Sequence, residues 1–227
     1  MTAAIAQQQE AALRPLKAKA LVGYALGDFG CNLAFTLGST FLLYYYTDVA
    51  GLSAAAVGTM FFVVRLWDAF ADLIAGRAVD RTMTRWGKFR PYLMFGSLPL
   101  MALSAVVFHV PAGLDLTMKL LYAYITYAAL GFVYSLVNIS YGSLASAVTQ
   151  SVHERAKLVA GRAFGAAVGG VLLTYVVGTM VSQLKSQKSA IKTAADLAAY
   201  QSAVQGVFTK VTLVFIVVGT AAFLFTA

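Results

Sequence analysis

Six long apolar stretches alternate with short polar ones along this chain. A membrane-crossing helix needs about 20 mainly apolar residues. The stretches at about 21–47, 53–78, 91–111, 117–149, 159–184 and 205–227 meet that requirement. The pattern predicts an all-α, polytopic membrane protein with six transmembrane helices. A polar N-terminal tail over residues 1–20 precedes a six-helix transmembrane bundle over 21–227. Several stretches exceed the minimum, which predicts tilt or protrusion beyond the bilayer. The segment "AADLAAYQSA", 194–203, has helix-forming composition and predicts a short surface helix before the last span.

Composition agrees with the pattern. The chain is 60% hydrophobic and 11% charged, whereas soluble domains are about a quarter charged. The net charge of +8 does not indicate a nucleic-acid partner, because the basic residues sit between apolar runs. They also set an orientation. Arg14, Lys17, Lys19, Arg81, Arg85, Lys88, Arg90, Arg155 and Lys157 fall on one side of the predicted topology. Lys119, Lys185, Lys188 and Lys192 fall on the other. The positive-inside rule places the first set, and both termini, in the cytoplasm. The N-terminal tail lacks an early apolar core and reads as a cytoplasmic tail. Tyr44, Tyr45, Tyr46 and Tyr200 fit an outer aromatic belt and Trp86 an inner one. Cys31 is the single cysteine, which excludes an internal disulfide framework. No nucleophile–base set and no phosphate-binding glycine loop is present, so an enzyme is not expected and no cofactor is called for.

Charges inside the apolar stretches carry the candidate chemistry. Arg65, Asp68 and Asp72 stand at i, i+3 and i+7 of the second span, on one helical face. Each costs about 2.5–3.5 kcal/mol near the bilayer centre, so all three are expected to face an interior or a wet cavity. One reading is a structural Arg65–Asp68 ion pair, which leaves Asp72 without a partner. The other is a cation site. Two carboxylates one turn apart can hold a small cation, or share a proton because like charges disfavour double ionisation. Asp28 and Asn32 on the first span, Ser135, Asn138 and Ser140 on the fourth, and Arg162 on the fifth add polar groups. Together they predict one shared central chamber, with Asp28 free to pair with a basic loop residue. Gly161, Gly165 and Gly169 recur every four residues and predict close helix packing. In the connection after the second span, Gly76, Asp80, Arg81, Gly87, Lys88 and Arg90 form a charged turn. Their ordered spacing suggests a conformational latch, with Asp80 pairing to a neighbouring helix end in one state only.

The segments "LLYYYTDVAGLSAAAVGTMFFVVRLWDAFADLIAG", "DRTMTRWGKFRPYL", "YSLVNISYGSLASAV" and "ERAKLVAGRAFG" resemble the glycoside–pentoside–hexuronide:cation symporters, the melibiose-carrier branch of the major facilitator superfamily. The resemblance covers nearly the whole chain from about residue 20. It implies the N-terminal six-helix bundle of a major facilitator fold, divisible three plus three. It also implies cation-coupled sugar or glycoside transport by alternating access. Carried over, Asp68, Asp72 and Ser135 bind the cation; Ser135 stands where that branch has a threonine. Asn32 and Asn138 stand where it has two sugar-anchoring aspartates, and Arg162 matches an arginine near the sugar. Gly142 replaces a tryptophan bordering the sugar, Cys31 a lysine and Ala71 an asparagine. Arg65 is a further substrate-side candidate. These changes favour a substrate other than a galactoside, an acidic sugar included, and H+ over Na+ or Li+ as the coupling ion. A Na+ ion, if carried, sits at Asp68 and Asp72.

The family places its site between two bundles, and one bundle is present here. The expected partners are therefore a sugar, the lipid of a bacterial inner membrane, and a second six-helix half or a second copy of this chain. The alternative is a non-transporting half-carrier acting as a membrane sensor or assembly partner.

Overall fold

The structure is a computed structural model that describes residues 15–188 and 193–226. The tail through Arg14, the loop residue Lys192 and the last residue lie outside the described residues. Among the described residues, six α-helices make up the fold: α1 (Ala18–Tyr44), α2 (Ala54–Arg81), α3 (Arg90–Val107), α4 (Leu116–Val148), α5 (Val152–Lys188) and α6 (Ala194–Thr226). All six are long and apolar enough to cross a membrane. Helices suit that environment because each closes its own backbone hydrogen bonds, where hydrocarbon offers none. Ser53 caps α2 by accepting a hydrogen bond from the Ala56 amide at 3.2 Å. Pro91 stands in the first turn of α3, where its missing N–H costs nothing.

The segment 194–203 is helical, but it is not a separate surface helix. It is the first three turns of α6, because no proline or charged break interrupts its run into the span. Tyr45 and Tyr46 also depart from expectation. A π-helical turn, Tyr45–Val49, extends α1 and rotates both rings inward, where they are fully buried. The Tyr45 hydroxyl accepts a hydrogen bond from the Val110 amide at 3.0 Å. Its ring meets Phe208 with centroids 5.4 Å apart. Tyr44 instead shares a hydroxyl–hydroxyl hydrogen bond of 2.7 Å with Tyr200.

Helix neighbours follow an internal two-fold pattern. The most extensive contacts are α1 with α5, α2 with α4, α3 with α4, α1 with α6 and α3 with α6. Exchanging α1 with α4, α2 with α5 and α3 with α6 maps this set onto itself. Three-helix repeats of opposite direction produce such an exchange, as in membrane proteins built from inverted repeats. The pattern weakens at the α5–α6 contact, which has no equal between α2 and α3.

The tightest approach is α1 against α5. A Cβ added at Gly165 would lie 2.2 Å from the Ala25 carbonyl oxygen. Small residues let the two backbones touch, which is the main source of helix association where lipid is as apolar as leucine. Large apolar side chains point outward elsewhere: Phe62 and Leu73 on α2, Phe164 and Tyr175 on α5, and Val217 on α6. Such an exterior is costly in water and neutral in acyl chains.

Gly165→Leu is expected to separate α1 from α5 and to lower stability by at least the ~1–3 kcal/mol typical of overpacking. Thermal unfolding of the detergent-solubilised protein, followed by circular dichroism, measures this. An unchanged midpoint would show that the contact is loose.

Candidate functional site

The polar residues of the spans collect around two cavities rather than one chamber. The first has a volume of about 180 Å³ and is walled by α1, α2 and α4. Arg65, Asp68, Asp72, Ser135 and Asn138 line it, with Tyr127 and Tyr134 beside them. The second is wider, about 480 Å³, and is walled by α1, α4 and α5. Gly142 and Arg162 belong to this one. The sequence-predicted substrate residues are thus divided, because α2 and α5 flank the α1–α4 pair on opposite sides.

Asp72 stands at the mouth of the first cavity and accepts a 2.5 Å hydrogen bond from the Ser135 hydroxyl. Ser135 itself is buried. Asp68 lies deeper. Its Oδ2 takes Arg65 Nη1 at 3.4 Å, an i,i+3 pair inside one helix. That pair ties no two helices together, and Arg65 is largely exposed, so it contributes little to stability. Asp68 Oδ1 is buried and has no hydrogen-bond partner among the described residues. It packs on the bare backbone of α4, and a Cβ at Gly131 would lie 2.3 Å from it. A buried carboxylate oxygen without a donor costs about 1–3 kcal/mol or more. A proton or a cation at that oxygen removes the cost.

Asp28 takes a different partner from the one expected. It pairs inside the bundle, with Arg162 Nε donating to its Oδ1 at 2.8 Å. Asn32 Nδ2 donates to the other carboxylate oxygen at 3.1 Å. Arg162 Nη2 reaches the Asn138 Oδ1 at 3.4 Å, and the guanidinium lies over the Tyr141 ring at 5.0 Å. Asp28, Asn32, Asn138 and Arg162 therefore form one network spanning α1, α4 and α5. Two roles escaped the sequence. One is Asp28 as the counter-charge of Arg162, although two opposite charges in apolar surroundings were a usable signal. The other is Gly131 as the seat of Asp68, which no local pattern marks.

The charged connection between α2 and α3 is ordered. Lys88 Nζ contacts Asp80 Oδ1 at 2.8 Å. Asp80, in the last turn of α2, thus pairs with a lysine two residues before α3 begins. Gly87 has φ +92°, and its carbonyl accepts from the Thr84 hydroxyl at 2.8 Å, closing the turn. Arg85 stacks on Trp86 at 4.3 Å. Gly76, Arg81 and Arg90 flank this turn on the ends of α2 and α3.

Residues 23–227 match the family described as MFS/sugar transport protein. The chain belongs to this family. Among curated relatives of this sugar-transport family, the glucuronide carrier protein homolog of Escherichia coli (strain K12) is 53% identical over 163 residues. That match covers 72% of this chain and 36% of the relative. The isoprimeverose transporter of Lactiplantibacillus pentosus is 41% identical, over 70% of this chain and 33% of its own length. A protein of Escherichia coli (strain K12) named, provisionally, a glycoside/cation symporter is 38% identical, over 74% of this chain and 36% of its own length. The matched part spans about a third of each relative. Proteins of this family transport; they are not enzymes, in keeping with the lack of a nucleophile–base set in the sequence.

Gly131→Ala is expected to displace the Asp68 carboxyl, whose Oδ1 would lie 2.3 Å from the new Cβ, and with it to loosen α2 against α4. Trp67, whose Nε1 donates to the Ala128 carbonyl at 3.2 Å, reports on that contact. In a Trp86→Phe background its emission should move to longer wavelength, with the helical circular dichroism retained. Unaltered emission would mean that Asp68 has another rotamer available.

Proposed function

We propose that this chain is one six-helix half of a cation-coupled sugar or glycoside symporter. The observation that carries this reading is the first cavity. Two carboxylates and a buried serine hydroxyl line it, and Asp68 Oδ1 is left without a donor. The names of the relatives support it: one is a homolog of a glucuronide carrier, one an isoprimeverose transporter, and one is named for glycoside and cation together.

In this reading Asp68, Asp72 and Ser135 take the cation. H+ is favoured over Na+ or Li+, because a hard metal ion is best served by six or more oxygens. These three side chains offer fewer, and Ala71 adds none. Neutralising Asp68 and Asp72 relieves the repulsion between them and lowers the cost of closing the cavity. The sugar then meets Asn32, Asn138 and Arg162, with Arg65 on one flank and Gly142 on the other. The amides can exchange their present partners for hydroxyls, since each offers both a donor and an acceptor. The second wall of the site comes from another six-helix half or a second copy, and the two rock about the substrate. The Asp80–Lys88 pair, with Gly76, Arg81, Gly87 and Arg90 around it, is the latch that yields in one of the two states. The chain lies in a bacterial inner membrane with both termini in the cytoplasm, as its basic connections favour.

In the complete transporter, Asp72→Asn should abolish cation-coupled accumulation in proteoliposomes. Accumulation with its usual cation dependence intact would remove Asp72 from the coupling site. Asn138→Ala should weaken sugar binding about tenfold, the cost of one hydrogen bond of ~1.4 kcal/mol, while membrane insertion is unaffected. Equal affinity would place the substrate elsewhere.

A further inference from the structure

α3 is the shortest of the six spans. Its 18 residues make about 27 Å of helix at ~1.5 Å per residue, close to the ~30 Å of a hydrocarbon core. The turn that opens α3 therefore lies at headgroup depth and cannot stand clear of the bilayer. That turn is closed on itself. The Thr84 and Gly87 backbones exchange hydrogen bonds of 3.3 and 2.9 Å, and the Thr84 hydroxyl accepts from the Trp86 amide at 3.2 Å. Arg85 and Trp86 are its two tip residues.

The tip carries charge that its surroundings do not answer. Residues 80–90 hold Arg81, Arg85, Lys88 and Arg90 against Asp80, four positive against one negative, a formal +3. Lys88 takes Asp80. Arg81, Arg85 and Arg90 are exposed, and none has a carboxylate partner among the described residues. The Arg85 guanidinium lies over the Trp86 ring at 4.3 Å, and its N–H groups have no acceptor among the described residues. Arg155, at the same end of the bundle, is turned inward instead. Its Nη2 reaches the Thr149 carbonyl at 3.3 Å, and its Nε is buried with no acceptor.

Beside the tip the surface is apolar. The Trp86 ring rests 5.7 Å from that of Phe95. Phe95 and Leu98, one turn apart on α3, are 60% and 55% exposed. α3 packs on α4 and α6 and lines neither cavity, so this face is not needed to close one. We propose that the Arg85–Trp86 turn binds the phosphate of an anionic phospholipid, with an acyl chain lying along Phe95 and Leu98. A guanidinium stacked on an indole keeps its edge N–H groups free, and two of them fit two oxygens of one phosphate. Arg81 and Arg90 extend the positive field, which favours a net negative headgroup over a zwitterionic one. The indole stands at the depth that tryptophan prefers. Charge at the tip and an apolar stripe below it follow the order of a phospholipid's own parts.

The test reads Trp86 by contact quenching. Trp67→Phe leaves Trp86 as the single tryptophan of the full chain. The protein is reconstituted in mixed vesicles of phosphatidylcholine and phosphatidylglycerol, with bromine in the acyl chains of one lipid or the other. Comparing the two quenching curves gives the lipid preference beside Trp86. Phosphatidylglycerol should be preferred about fivefold or more, the effect of one arginine at a charged bilayer surface. Arg85→Gln should lower that preference about fivefold. Lys17→Gln, which removes another exposed charge from the same end of the bundle, should leave it unchanged. Quenching that follows the bulk lipid composition overturns the site, as does a preference that Arg85→Gln leaves in place. A preference lowered equally by Arg85→Gln and Lys17→Gln also overturns it, because surface potential alone would then account for the effect.

Discussion

An ionised side chain cannot rest against acyl chains, and the interior of this bundle is organised by that constraint. Asp28 meets Arg162, Arg65 meets Asp68, and Asp72 takes the Ser135 hydroxyl. Each of these groups would cost several kcal/mol if it faced lipid alone. Of the three pairings, only Asp28–Arg162 joins different helices through two full charges. It ties α1 to α5 where the glycine-lined contact already brings their backbones together. Packing and electrostatics therefore act on the same helix pair. The ion pair gains from the low dielectric that the close packing provides. The other two groups are left less completely satisfied, and the incompleteness gathers at Asp68 Oδ1.

On the proposed reading, that contrast separates structure from function within one set of charged residues. On that reading Asp28, with both carboxylate oxygens occupied, has little reason to exchange partners. A carboxylate seated on bare glycine backbone, with one oxygen lacking a donor, changes its energy sharply when a proton or cation arrives. On the proposed reading, Asp28–Arg162 is the fixed frame and Asp68 with Asp72 the responsive element. The second arginine, Arg155, repeats the incompleteness with the opposite sign on the other side of α1 and α4.

Much of this was legible before any coordinates, for a physical reason. Bilayer thickness dictates span length, so six apolar runs give six helices with little freedom. Charges in those runs stand out because they are expensive, which is why Asp68, Asp72 and Arg162 could be read directly. What was not legible depends on rotation and on contact between distant segments. The π turn at Tyr45–Val49 turns two tyrosines from a predicted belt into the core, and a one-residue change of phase has no simple signature. The partner of Asp28 lies 134 residues away. The seat of Asp68 is an absence of side chain at Gly131. Division of the polar set into two cavities follows from which helices flank α1 and α4, a property of the packing alone.

The two-fold exchange bears on coupling itself. α1 and α4 are the only helices that line both cavities, and the exchange converts one into the other. Asn138 borders the first cavity and accepts from Arg162, which borders the second. A change of charge beside Asp72 is felt across one turn of α4, at Asn138, because Ser135 and Asn138 share a helical face. Occupancy of one cavity can thus bias the other through a single helix and a single 3.4 Å contact. No long relay is needed. Coupling of this kind is a difference in free energy between states that both ligands influence. On the proposed reading, an inverted repeat supplies the geometry for it: two related cavities back to back, sharing the walls of α1 and α4.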